Sequence, residues 1–343
     1  PEPLIMARGV TSNNSGQIGI DSLTANRNMV TAGTGTILRI YGAGFGKRVN
    51  PSDTTQRGKI QFVNADFSPT TFLPDLDRKD VISWRDTLIQ VRIPDQVTIA
   101  INQHHTIGGG PVKVVRYCDT QTSNPVLVAQ SPDSVDIQYN LDATDKSRGK
   151  TRIHLASLNC SKGITFYLDT TFAAVPGAEP IIRAALRHWS TQVGMPLILS
   201  AEKVSTGVND FDNKNIIFLS SAIGSSAMET RMHWNAFYAK TSPSTVNKVE
   251  WARTDIDILV SANTSWQYDT TATRIAHGNQ DAYASFLHEF GHALGLNHVV
   301  RQTDVMFYQL SSSRRKTLVN DRLSTVLGGQ KVVADSRKMR WTN

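Results

Sequence analysis

The chain has 343 residues, of which 40% are hydrophobic and 19% charged. That is ordinary for a soluble globular protein and enough for two or three domains with cores of their own. No apolar run is long enough to span a bilayer and no signal peptide stands at the N-terminus, although residue 1 is Pro, so a processed or trimmed form is expected and the missing signal says nothing about compartment. The net charge of +7 is spread through local clusters such as "SSSRRK" and "DSRKMRW", which argues against specific nucleic-acid binding and leaves affinity for acidic polymers as a weaker reading.

Up to about Tyr117, short β-rich runs alternate with turns rich in Gly, Asn and Ser. "TILRIYG", "KIQFVN", "LIQVRIP" and "PVKVVRY" carry β-branched and aromatic residues at alternate positions, with no helical period. The spacing predicts a small antiparallel sandwich over residues 1–120. "GAGFGKR" reads as a turn after a strand; a phosphate loop would need a helix next, and "VNPSDTT" follows. His104 and His105 are neighbours on a strand and face opposite ways, so they are expected at the surface near a hairpin. Residues 121–160 are a transitional segment of strand-like and turn-like pieces. Its boundaries enclose or adjoin the two cysteines, Cys118 and Cys160. Two are too few for a disulfide scaffold or a cysteine-ligated zinc site, and a single bridge and two free thiols both stay open.

From 161 to 343 the pattern turns to mixed α and β. "GITFYLD", "NIIFLSS" and "IDILVSA" read as strands. "EPIIRAALRHWSTQVG" puts Ile181, Ile182, Ala185 and Trp189 on one helical face, with Gly194 as a stop. His188 lies beside that face and is read as structural. "NQDAYASFLHEFGHALG" reads as a helix capped by Asn279 or Asp281 and ended by Gly295.

The last of these contains the chemistry. In "FLHEFGHALGLNH" His288 and His292 are i and i+4 on a helix, so their imidazoles share a face and can reach one zinc ion. Glu289, beside the first, can hydrogen-bond an attacking water without being a ligand. A left-handed Gly295 would turn the chain so that His298 becomes a third ligand, leaving an open position for catalysis. A helix with unrelated histidines is the bland alternative. The full HExxHxxGxxH pattern arises by chance in a chain this long on the order of once in a hundred thousand.

Met306 follows in "DVMFYQ", eight residues after His298. With it the stretch resembles the metzincin metallopeptidases, and "HEFGHALGLNH" within them is most similar to the matrixin group; the resemblance covers roughly 160–330. It implies an α+β catalytic domain, one catalytic Zn2+ on His288, His292 and His298, Glu289 as general base and Met306 as the Met-turn. It also implies protein or peptide substrates and a secreted or cell-surface location. Tyr308 matches a position where some metzincins carry an oxyanion-binding tyrosine, while Phe307 to Leu310 would equally form a wall of the specificity pocket. Departures are Val299, where several groups have an acidic residue, and the isolation of His233 and His277, so a second, structural zinc is not expected. "NDFDNKN" (209–215) has oxygens for Ca2+, although a polar turn is the better reading. Arg116 and Cys118 in "RYCDT" lack the full pro-segment latch motif, and a bridge or a thiol is expected instead. Residues 17–117, with "AGTGTILRIYGAGFG" and "TIGGGPVKVV", are similar to IPT/TIG domains, an immunoglobulin-like module that would bind an extracellular ligand or act as a spacer. The expected architecture is therefore multidomain, an immunoglobulin-like sandwich before a zinc peptidase. Two rival readings are a surface binding or adhesion protein with a degenerate peptidase domain, and a zinc amidohydrolase acting on a non-protein amide.

Overall fold

The computed structural model describes residues 4–6, 18–26, 29–46, 58–76, 78–100, 103–117, 126–146, 149–155, 163–205, 212, 214–224, 226–242, 245–310, 315–318 and 324–338. The chain divides into two compact units. The first comprises Pro1–Asp142 with Asn297–Arg301, and the second Ala143–Leu296 with Gln302–Asn343.

The first unit is strand-rich. Its strands are β1 (Leu4–Met6), β2 (Gly19–Ala25), β3 (Ile37–Ala43), β4 (Lys59–Asn64), β5 (Val81–Trp84), β6 (Leu88–Arg92), β7 (Gln96–Ala100), β8 (Gln103–Tyr117), β9 (Val126–Val135) and β10 (Asn140–Leu141). One antiparallel sheet has the order β1-β2-β3-β6-β5; in the other, β4, β7 and β9 all pair with the long β8. The alternation in the sequence decides which side chains go inside. Leu38 and Ile40 of β3 and Ile60 and Phe62 of β4 are fully or almost fully buried in one core, together with Ile107, Val112 and Val114 of β8. Each such side chain contributes about 1.5–3 kcal/mol by leaving water. Both predicted strands around "GAGFG" and the turn reading are consistent with β3 ending at Ala43, after which Gly44 and Gly46 take positive φ of 74° and 64°. Cys118 and Cys160 lie outside the described residues.

The second unit is built on a mixed sheet. Its strands are β11 (Ala143–Lys146), β12 (Gly149–Leu155), β13 (Ile164–Asp169), β14 (Leu197–Val204), β15 (Asn215–Ser220), β16 (Met228–Ser242) and β17 (Thr245–Ser261), with a short pair β18 (Trp266–Gln267) and β19 (Gln280–Asp281) apart. The order is β11-β12-β17-β15-β13-β14, with β16 on β17. β12 and β15 run parallel to β17, and β13 runs parallel to β15 and β14, whereas β11 is antiparallel to β12 and β16 and β17 form a long antiparallel hairpin. Parallel strands are covered on both faces, and β15 accordingly buries Ile216, Ile217 and Phe218 in succession.

Among the described residues four helices accompany the sheet: α1 (Thr170–Ala173), α2 (Ala178–Val193), α3 (Ala282–Ala293) and α4 (Ser324–Ser336). α2 follows the predicted face, burying Ile181, Ile182, Ala185, Leu186 and Trp189, and Gly194 ends it in a left-handed conformation with its N–H donating to Ser190 O. α3 starts at Asp281, whose carboxylate accepts the Tyr283 N–H at 3.0 Å. Phe290 of α3 meets Phe166 of β13 with ring centroids 5.2 Å apart, which seats the helix on the sheet.

Candidate metal centre

α3 carries His288, Glu289 and His292, and nearly every residue of it is buried. The chain then turns sharply. Gly295 has φ +94°, a left-handed conformation that favours glycine, and a Cβ there would lie 2.8 Å from the Arg253 guanidinium. His298 follows. The three histidines offer ligand atoms that all lie within 4.8 Å of one another, a set that could hold a metal ion.

Each ring is held from behind. His288 Nδ1 is 2.7 Å from Val305 O, and His292 Nδ1 is 2.8 Å from Leu296 O. Carbonyl oxygens only accept, so both Nδ1 atoms carry the hydrogen, and each ring in its neutral form offers the Nε2 lone pair. Those two Nε2 atoms are 3.0 Å apart. A cation shared by the two nitrogens would bridge them. Two ligands about 2.1 Å from one zinc at a tetrahedral angle lie about 3.4 Å apart, close to what is seen. His298, which clusters with the first unit, has its Nδ1 at 2.7 Å from Asp66 Oδ1. Burial pushes the Asp66 carboxyl up, but the hydrogen bond and charge of His298 and the Thr106 N–H outweigh it, holding it below the usual carboxylate range. The donor set and its tautomers fit a zinc ion.

The residue after Val305 is Met306, 1% exposed. A methyl group on Gly291 would collide with the Met306 sulfur, so this sulfur lies directly on the helix between His288 and His292. The turn is fixed by Asp304, which is fully buried. Its Oδ1 accepts the Met306 N–H at 2.7 Å and the Thr325 hydroxyl at 2.5 Å, and its Oδ2 accepts the Ser324 hydroxyl at 3.1 Å. Asp304 was not singled out in the sequence; an Asp two residues before the methionine, with the side-chain turn it favours, was the available signal.

Glu289 is 6% exposed. The Thr230 hydroxyl of β16 donates to its Oε2 at 2.6 Å and lies 3.1 Å from its main-chain oxygen. Fifty-nine residues separate the pair, so no local pattern could have revealed it. Behind the helix, Trp189 Nε1 donates to Leu287 O at 2.8 Å. At its start, Arg315 grips Asp281 through Nε and Nη2, both at 2.8 Å, with 7% and 3% of the two side chains exposed. Tyr308 is half-buried with its ring 4.7 Å from that of Phe307. His188 hydrogen-bonds Tyr283 at 2.8 Å, and burial alone lowers its pKa, in keeping with a structural residue. His233 lies on β16 opposite Asp255, and His277 in an exposed turn. Most of the calcium candidate at 209–215 lies outside the described residues.

Residues 163–326 match the model of the matrixin family, so the C-terminal part of the chain carries a matrixin domain. No curated protein matches the chain. Among solved structures, a protein provisionally described as a bacterial DNA-binding protein from Bacteroides vulgatus is 11% identical, with 36% of this chain and 48% of that one covered and a TM-score of 0.23. This chain thus spans about half the length of that protein. Metalloproteinase-II from Bacteroides fragilis is 10% identical, over 91% of this chain and 86% of that one, with a TM-score of 0.27.

Proposed function

We propose that the chain is a zinc-dependent endopeptidase acting on protein or peptide substrates. The observation that carries this reading is the tautomer-locked histidine set inside a segment that matches the matrixin family. His288, His292 and His298 would hold the ion through Nε2. Zinc, when bound, lowers the pKa of a water to about 7 and polarises the scissile carbonyl. Glu289 is the general base: it takes the proton of the attacking water and delivers it to the leaving amine. Thr230 fixes the carboxylate through Oε2, so the base does not have to find its orientation at each turnover. Val305 O and Leu296 O keep the ligand rings from rotating. Met306 and Gly291 set the floor beneath the two helical ligands. A role for Tyr308 at the oxyanion rests on its offset from Met306.

The first unit is read as an IPT/TIG-like module, supported by two antiparallel sheets that share one core. Location outside the cell is part of the same proposal and rests on the resemblance to matrixins alone; among the described residues no helix is long and apolar enough to cross a membrane.

Metal dependence tests the reading. Dialysis against a chelator is expected to abolish casein cleavage, and stoichiometric zinc to restore it. Cleavage that persists at full rate in metal-free protein would rule out the mechanism.

A further inference from the structure

We infer that Asp66 is a positioning residue for the third metal ligand: its carboxylate fixes the His298 imidazole so that Nε2 is the nitrogen offered to the ion. The inference rests on the metal-site reading above and adds a residue 232 positions away from the ligand it serves. Both belong to the first unit, which includes Asn297–Arg301.

The carboxylate is built to do this. Oδ1 is 2.7 Å from His298 Nδ1, while Oδ2 accepts the Thr106 N–H at 2.7 Å. The Asp66 main-chain N–H is itself tied to Asn64 Oδ1 at 2.9 Å. Asp66 therefore cannot swing away without breaking a backbone contact on β8. An ionised carboxylate only accepts, so Nδ1 must donate and Nε2 is left as the lone-pair nitrogen. The other two ligands obtain the same tautomer from main-chain carbonyls, Val305 O and Leu296 O. His298 is backed by a carboxylate. A carboxylate behind a ligating histidine raises its basicity, and loss of such a partner typically weakens metal binding about 10- to 100-fold.

An ordinary ion pair between Asp66 and a protonated His298 is the simpler alternative, and substitution separates the two. In Asp66→Asn the amide oxygen would still accept from Thr106 N–H, which turns the NH2 towards His298 Nδ1. That NH2 donates, favouring the tautomer whose Nε2 carries hydrogen and cannot bind metal. Asp66→Ala removes the contact altogether.

The experiment is zinc affinity of the full chain, by competition with a chromophoric chelator, for wild type, Asp66→Asn, Asp66→Ala and His298→Ala, with the melting temperature of each metal-free protein recorded alongside. The expected result is zinc binding about 10- to 100-fold weaker in both Asp66 variants, with metal-free Asp66→Asn melting where wild type does. Wild-type affinity in a folded Asp66→Asn overturns the inference while leaving the metal site standing. If wild type itself binds no zinc, the metal-site reading fails and takes the inference with it. Equal loss of zinc affinity and of metal-free stability in both variants would assign Asp66 to the fold alone.

Discussion

Glu289 and Thr230 show how much a single side chain can set. The carboxylate is buried, and a buried carboxylate without a donor would be costly; the Thr230 hydroxyl at 2.6 Å supplies one. A hydrogen bond to a charged group contributes about 1.5–3 kcal/mol, so Thr230→Val should lower kcat by about tenfold or more. KM and zinc content should change little, and Thr230→Ser should keep most of the activity. Steady-state kinetics on a fluorogenic peptide checks this, and a kcat in Thr230→Val equal to that of wild type would remove Thr230 from the account. At this scale the sequence was legible wherever function is written in spacing. The i, i+4 histidines and Gly295 were readable because helix geometry converts sequence distance into spatial distance. Asp66 and Thr230 were not, because their partners lie 232 and 59 residues away and only the tertiary fold joins them.

α3 is short, and an isolated helix of 12 residues is marginal in water. It is held at its start by Asp281 and Arg315, along its length by Trp189, and beneath by Met306. Gly291 looks out of place in a helix, where glycine costs about 1 kcal/mol relative to alanine. The reason is the Met306 sulfur, which occupies the volume a Cβ would need. Gly291→Ala should therefore destabilise the protein by about 1–3 kcal/mol despite the better helix propensity, measured by denaturant unfolding at saturating zinc. A variant as stable as wild type, or more so, would mean that Met306 does not pack there. The helix itself and its Asp281 cap were visible in apolar periodicity and capping chemistry. Arg315, 34 residues beyond the cap it clamps, carries no such mark.

For the molecule as a whole, strand alternation before Tyr117 and mixed periodicity after Gly163 announced an all-β part and an α+β part. What they left out was long-range order. The parallel pairing of β13 with both β14 and β15 is set by chain crossovers rather than local residues. The grouping of Asn297–Arg301 with the first unit likewise has no signature in the five residues themselves. The central claim is that this chain is a peptidase whose base is Glu289. Its most direct test is casein cleavage by wild type and Glu289→Ala side by side, with zinc measured on both. The account predicts zinc in both proteins and a rate at least roughly 10²-fold lower in the variant. Undiminished cleavage by Glu289→Ala would contradict it.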